Sequence, residues 1–483
     1  MKKKSITRNY IYNLTYQILT LLLPLITAPY ISRVLGAENI GIYSFTLSIS
    51  SYFILFGSLG ISLYGQREIA YQQGKKKETS KIFWEITVLR WITMTFSMIF
   101  FYFTFIMKSN EYNIYYKILL LEILGNSLDI SWFFQGLEEF KKTVIRNTIV
   151  KLISVICIFL FVKESVDLNK YFIIYVLSTF LGNLSLWMYL PKFVQKVKIK
   201  ELNLFRHVKP TIMLFIPQVA TQIYTVLDKT MIGVIVSNKA EVGYYEQAQK
   251  IVKLLMTLAT SLGTVMMPRI AATFASGNHE KVREYMDKSF RFILLLAFPL
   301  MFGIISVSSS FVPIFYGNGY DKVVPLLCVI SPIIVLIGLS NVTGTQYLLP
   351  TKKQNQYTLS VVVGASVNFI LNLILIKYFA SIGASIATVI AELAVTSIQF
   401  ILVREEIKFI DVIKLSYKYA IGSLIMFMCS VTVGYFIKDN LASIILQVIV
   451  SCFVYFLILY ILKDKMINEV VVRVKSKIRK EGK

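Results

Sequence analysis

The sequence predicts an all-α integral membrane protein, a bundle of about fourteen transmembrane helices. Three observations carry that prediction. Hydrophobic residues make up 56% of the chain and charged residues only 16%, whereas a soluble domain is about one quarter charged. Apolar runs of about 20 residues, long enough to cross a hydrocarbon core, recur from one end to the other. Basic residues fall in alternate connections between these runs, in one phase throughout. So much apolar content has no place in water, but a bilayer requires it, because the outside of the protein must be apolar too.

The runs are 10–32, 41–65, 83–107, 114–136, 144–162, 168–190, 210–235, 243–268, 290–313, 323–348, 357–378, 383–403, 416–437 and 441–462. With the N-terminus inside, the inner segments carry Lys2, Lys3, Lys4 and Arg8, then Arg67, Lys75, Lys76, Lys77 and Lys81, then Lys141, Lys142 and Arg146. The connection from Lys192 to Lys209 and the tail from Lys463 to Lys483 add more. Outer loops hold only scattered cations: Arg33, Lys108, Lys163, Lys170, Lys239, Lys322, Lys377 and Lys438. One missed span would invert half of this pattern. Both termini are therefore expected in the cytoplasm, and the chain in the cytoplasmic membrane of a bacterium. The first apolar run is not read as a cleaved leader, since no A-x-A site follows it and another run begins within a few residues.

The net charge of +24 is accounted for by this inner bias, and no nucleic-acid-binding motif accompanies it. Cys157, Cys328, Cys429 and Cys452 lie singly in apolar runs and suggest neither a metal site nor a disulfide framework. His207 and His279 are expected in polar loops, which argues against His-based catalysis. No cofactor motif appears. The outer loops are too short for an extracytoplasmic domain, so the function is expected within the helix bundle.

An internal repeat is visible at an offset of about 202 residues. GIYSF from Gly41, SLG at 58–60, GQREIA from Gly65 and Gly74 match, in order, GYYEQ from Gly243, SLG at 261–263, PRIA from Pro268 and Gly277. Six helices per repeat is an even number, so both halves enter from the same side. Two such bundles form lobes around a central cavity. The expected division is an N-terminal lobe (1–195), a cytoplasmic linker (196–209), a C-terminal lobe (210–403), and two additional helices with a basic tail (404–483).

Ionisable residues inside apolar spans are costly and belong against other helices or water, not lipid. Helical spacing gathers polar residues into stripes: Asn9, Asn13 and Gln17 on the first span; Glu122 and Asp129 on the fourth; Gln218, Gln222, Thr225, Asp228 and Lys229 on the seventh; Glu246, Lys250, Lys253 and Thr257 on the eighth; and Glu392 on the twelfth. The third span encloses Arg90. Glu246 with Lys250, and Asp228 with Lys229, are also placed to neutralise each other.

Five stretches carry a family resemblance: PLITAPYISRVLGAENIGIYSF (24–45), DISWFFQGLEEFKKTVIRNTIVK (129–151), VLDKTMIGVIVSNKAEVGYYEQAQKIVK (226–253), MMPRIA (266–271) and GASVNFILNLILIKYFASIGASIATVIAE (364–392). The chain resembles the Wzx-type polysaccharide-export flippases of the multidrug/oligosaccharidyl-lipid/polysaccharide superfamily. The resemblance implies a flippase, not an enzyme. Its cargo would be a polyprenyl-pyrophosphate-linked oligosaccharide, a cell-surface polysaccharide repeat unit, moved from the inner to the outer leaflet. Polymerase and glycosyltransferases of the same pathway would be its companions. A cation-coupled multidrug exporter on the same fold is the alternative. For such a cargo, Arg90, Lys250 and Lys253 are expected to hold the head group, with Arg33, Arg67 and Arg269 as further candidates near the membrane faces. Asp228 and Glu392 are the expected ion-coupling carboxylates, with Glu122 and Asp129 as first-repeat alternatives.

Overall fold

A computed structural model describes the backbone of residues 6–108, 111–437 and 441–469; the side chains of 6–18, 20, 21, 199, 216, 217, 220, 221, 223, 224 and 264 lie outside the description. Every regular element among the described residues is helical. In chain order the α-helices are α1 (Ile6–Ser58), α2 (Ile61–Tyr71), α3 (Lys76–Phe101), α4 (Asn113–Ser127), α5 (Ser131–Gly136), α6 (Phe140–Phe161), α7 (Leu168–Trp187) and α8 (Phe205–Ile235). They continue with α9 (Ala240–Thr260), α10 (Gly263–Ala275), α11 (His279–Tyr316), α12 (Val323–Ile330), α13 (Ile333–Ser340), α14 (Gln354–Leu402), α15 (Phe409–Phe436) and α16 (Leu441–Ile461).

Among the described residues nine helices are long and apolar enough to cross a membrane, or ten if the bent pair α9 and α10 forms one span. Two of the nine are 50 and 49 residues long, Leu22–Tyr71 (most of α1 with α2) and Gln354–Leu402 (α14). At about 1.5 Å per residue each exceeds twice the hydrocarbon thickness. Each is interrupted by a residue with non-helical torsions, Gly36 (φ 78°) in α1 and Ala380 (φ 50°) in α14. In α14 the two legs run antiparallel. The Gln399 amide donates to Ser360, Gly364 packs on Val395, and Gly383 lies so close to the Leu375 carbonyl that a Cβ there would overlap it. The expected pair 357–378 and 383–403 is thus one tight hairpin. The total of fourteen spans stays an expectation.

Among the described residues four expected spans are broken, 41–65 at Leu59–Gly60 and 243–268 at Ser261–Leu262 among them. The run 114–136 is a 15-residue helix, a break at Leu128–Ile130, and the short α5. The run 323–348 consists of α12, α13 and a π-helical stretch, Asn341–Leu348. Its first break falls at Ser331–Pro332, where proline offers no amide to continue the helix. His207 also departs from expectation. It lies in the first turn of α8, not in a loop, and is 2% exposed.

The chain forms two compact units, 1–243 and 244–483. In the first, α8 packs against α1 and α2. The approach is close at Gly60 (φ 71°), where a Cβ would sit 3.0 Å from the Phe215 amide nitrogen. One end of this unit is sealed by an aromatic cluster. Trp132, Phe133 and Phe134 of α5 are fully buried against Ile61 and Ile69 of α2, Phe83 and Ile86 of α3, and Leu186 of α7. The connections that charge assigns to the inner face thus converge at one end. In the second unit α11 packs on α15, and α15 on α16. Outward faces such as Ile413, Ile421, Met428, Phe453 and Phe456 are exposed large apolar residues, as a lipid-facing surface requires. The four-part division by repeat is a sequence-level proposal, distinct from this division by packing.

Candidate functional site in the polar groups of the helices

In the first unit, Glu122 of α4 is buried between helices. Its Oε2 accepts a hydrogen bond from Ser50 Oγ of α1 (2.9 Å) and its Oε1 from the Tyr175 hydroxyl of α7 (3.2 Å). Two hydroxyl donors partly offset the desolvation of this carboxylate. Asp228 of α8 is also buried, beside Thr230, whose hydroxyl bonds Ser48 (2.8 Å) and Tyr52 (3.1 Å) of α1. Lys229 is half-buried, as are Gln218 and Gln222, while Thr225 is exposed.

Arg90 is buried and heavily engaged. Its Nε and Nη2 donate to the Asn126 carbonyl at 3.1 and 2.8 Å, and its Nη1 to Ser62 Oγ at 3.2 Å. Asp129 Oδ2 lies 3.9 Å from Nη2, and Asp129 Oδ1 accepts from the Ser131 amide at 2.9 Å. The physical logic is local. α4 stops here, where the Asn126 carbonyl keeps only the tight-turn amide of Asp129 at 3.2 Å; the guanidinium adds further donors to it, and the aspartate takes up the first amide of α5. Arg33 and Arg67 are exposed. Arg67 pairs with Glu68 at 3.2 Å and lies over the Tyr64 ring.

In the second unit, Lys250 Nζ lies 3.5 Å from Glu246 Oε1, one helical turn away. Lys253, Thr257 and Arg269 are exposed. Glu392 is buried in α14, in a helix pair that also buries Asn368, Asn372, Ser385 and Thr388. Asn372 donates to Asn368 at 3.0 Å. The Tyr245 hydroxyl of α9 bonds Thr388 (3.1 Å) and accepts from Gln249 (2.8 Å). A separate cleft of about 360 Å³ runs along α11, α15 and α16 and is lined by apolar groups such as Leu295, Pro299, Met426 and Phe456.

The expected residues are thus distributed within the two units. Asn9, Asn13 and Gln17 fall outside the described side chains. Sequence reasoning missed a further network in the first unit. Glu85 of α3 is fully buried and accepts from the Asn203 amide (2.7 Å), from Arg206 Nε (3.1 Å) and Nη2, and bonds His207 Nε2 (2.9 Å). The other ring nitrogen of His207 bonds the Tyr64 hydroxyl at 2.7 Å. The signal was present, since Glu85 lies inside the expected third span. The uncharged Asn368, Asn372, Tyr245 and Gln249 were also missed, and only their packing reveals them.

A profile of the family described as polysaccharide biosynthesis protein matches residues 6–274, and one described as lipid II flippase MurJ matches residues 147–450. The chain is 28% identical over 407 residues to a protein of Escherichia coli (strain K12) named "Putative O-antigen transporter", covering 83% of this chain and 97% of that one. It is 28% identical over 196 residues to the lipid II flippase MurJ of Bacillus subtilis (strain 168), covering 39% of this chain and 34% of that one. In fold it matches a solved inward closed lipid II flippase MurJ with a TM-score of 0.75 at 17% identity, over 94% of this chain and 98% of that one. An inward-facing multidrug resistance MATE family transporter of the MOP superfamily matches with a TM-score of 0.61 at 12% identity, over 82% and 94%.

Proposed function

The chain belongs to the polysaccharide biosynthesis protein family, and from that premise we propose that it is a flippase for a lipid-linked oligosaccharide. The observation that carries this reading is the match of residues 6–274 to that family, continued to residue 450 by the lipid II flippase profile. The chemistry fits. Flipping requires polar groups inside apolar helices for the head group and an apolar surface for the lipid chain, and both units bury such groups. The multidrug-exporter alternative shares the fold at a lower TM-score and lower identity.

At finer detail, the cargo is a polyprenyl-pyrophosphate-linked repeat unit, moved from the inner to the outer leaflet by alternating access. The protein sits in a bacterial cytoplasmic membrane with both termini inside, and a polymerase and glycosyltransferases work beside it. Lys250 and Lys253 on α9 are the head-group candidates that the described geometry supports best, since Lys253 is exposed and Lys250 is partly so. Arg33, Arg67 and Arg269 are further candidates, all exposed. The bonding of Arg90 supports a structural role, and substitution separates the two possibilities. Asp228 and Glu392 are the coupling candidates, with Glu122 and Asp129 as alternatives. A negative-inside potential also favours outward movement of negative charge by about 2.3 kcal/mol per charge per 100 mV.

The test is reconstitution in liposomes with a defined polyprenyl-pyrophosphate-linked oligosaccharide, scoring its leaflet with an impermeant reagent. Transfer dependent on the protein is expected. Efflux of soluble organic cations with no transfer of the lipid-linked sugar would favour the exporter. Asp228→Asn or Glu392→Gln is expected to abolish gradient-driven flipping while sparing cargo binding. If both respond to an imposed proton or sodium gradient like the parent protein, these carboxylates are structural.

A further inference from the structure

In the second unit a pocket of about 440 Å³ opens between α11, α15 and the segment that follows α16. Five cations line it: Arg291, Lys414, Lys418, Lys463 and Lys465. Two carboxylates face them, Asp287 and Asp411. Asp287 is taken up by Arg291, at 2.7 and 3.3 Å. Lys418 donates to the Leu462 carbonyl at 2.8 Å, which ties α15 to the end of α16. Lys414, Lys463 and Lys465 form no ion pair among the described residues. Three ammonium groups therefore converge on one space with a single unspent carboxylate between them.

The arrangement is built, not incidental. Lys463 adopts a left-handed backbone (φ 51°), a conformation that costs a non-glycine residue roughly 1 kcal/mol. It is held there by Asp464, which is 1% exposed. Asp464 Oδ2 accepts from the Tyr419 hydroxyl at 2.9 Å, and its Oδ1 accepts from the Met466 and Ile467 amides at 3.0 and 3.2 Å. This clasp fixes Lys463 and Lys465 on either side of a buried anchor and turns both into the pocket.

The pocket adjoins the end of the apolar helix α16 and the start of α15. Next to it, Ile413, Tyr417, Tyr460 and Ile461 are exposed apolar or aromatic groups. One turn beyond Arg291, Leu295 lines the apolar cleft that continues along α11, α15 and α16, and the Tyr455 hydroxyl bonds the Leu295 carbonyl at 2.8 Å. A cationic pocket above an apolar cleft is complementary to an amphiphile, with an anionic head and apolar chains. A free phosphate would use only the upper part.

We propose that this pocket binds the phosphate of an anionic membrane phospholipid, with its acyl chains along the apolar cleft between α11, α15 and α16. The positive-inside pattern assigns it to the cytoplasmic leaflet. The site gives α15 and α16, which lie outside the two sequence repeats, a role of their own.

The test uses the purified full-length protein in neutral detergent and native mass spectrometry. The probes are phosphatidylglycerol, phosphatidylcholine with the same acyl chains, and inorganic phosphate. Retention of phosphatidylglycerol over phosphatidylcholine is expected, with no displacement by millimolar phosphate. The triple variant Lys414→Gln, Lys463→Gln, Lys465→Gln is expected to bind phosphatidylglycerol on the order of 100-fold more weakly. The matching triple arginine variant keeps the charge and is expected to retain the lipid, which separates charge loss from misfolding. Equal binding of the two lipids, or undiminished binding by the glutamine variant, overturns the proposal. So does displacement by inorganic phosphate, which would make this a free-anion site. So does loss of binding in both variants, which would trace the effect to folding.

Discussion

Glu85 is fully buried, and its donors come from the 203–207 segment that opens α8. Removing a buried carboxylate from such donors costs about 1–3 kcal/mol. Glu85→Gln is therefore expected to lower the melting temperature in detergent while leaving the helical signal intact at low temperature. His207 adds a pH dependence. Burial pushes its pKa below the ordinary value, against the raising pull of the Glu85 carboxylate; Arg206 and Glu68 also act on it, and Tyr64 bonds it. A histidine whose folded value is depressed binds fewer protons folded than unfolded. Its contribution is thus fully present above the unfolded value of about 6.5 and is lost as pH falls through the folded value. The stability difference between the parent protein and His207→Gln is expected to be largest near pH 8 and to narrow towards pH 5. A difference constant over that range would show that the imidazole does not titrate in the network. Arg90 makes a second prediction at this scale. Arg90→Gln removes the guanidinium donors to the Asn126 carbonyl and Ser62 and leaves that carbonyl only the Asp129 amide, so the main loss is expected in thermal stability. Lys250→Gln with Lys253→Gln is expected to lose export at unchanged stability. A stable, export-defective Arg90→Gln would return Arg90 to the head-group site.

At the scale of elements, two glycines matched by the sequence repeat meet within the first unit. A Cβ at Gly41 would overlap the Lys239 carbonyl and lie 3.1 Å from the Gly243 amide nitrogen. A Cβ at Gly243 would overlap the Ala37 carbonyl and lie 3.2 Å from the Gly41 amide nitrogen. Backbone meets backbone here, so no side-chain rotation can relieve a substitution. Gly41→Val and Gly243→Val are each expected to lower stability by about 1–3 kcal/mol or more, read as a fall in melting temperature and in export. Gly303→Ala is the control, since a Cβ there finds only Met426 Cε at 3.9 Å. Equal behaviour of all three variants would show that the contact is not maintained in the membrane.

For the whole molecule, the charge pattern makes the strongest prediction. Single cysteines at Asn318 and Asn110, in a background lacking the four native ones, are expected to react with an impermeant thiol reagent from outside. Cysteines at Lys76 and Lys198 are expected to react only after permeabilisation. Labelling of Lys198 from outside would overturn the assignment of the first six spans.

The sequence by itself determined the membrane class, the order of the apolar runs, the internal repeat and the family. These follow from composition, run length and spacing, which are one-dimensional quantities. It also put Glu122, Asp228 and Glu392 inside apolar spans, and the structure buries all three. Tertiary structure alone decided what each polar group touches. Arg90 and Asp129, expected on different spans, share the break at the end of α4, where the guanidinium adds donors to the Asn126 carbonyl and lies 3.9 Å from the Asp129 carboxylate. Glu85, Tyr64 and His207 are far apart in sequence and meet only because α2, α3 and α8 share one end of a unit. The WFFQG tract, read as part of a span, folds instead into α5 and seals that end with fully buried aromatic rings. Hydrophobic periodicity reports which residues avoid water; it does not report where a helix must stop to let its neighbours pack.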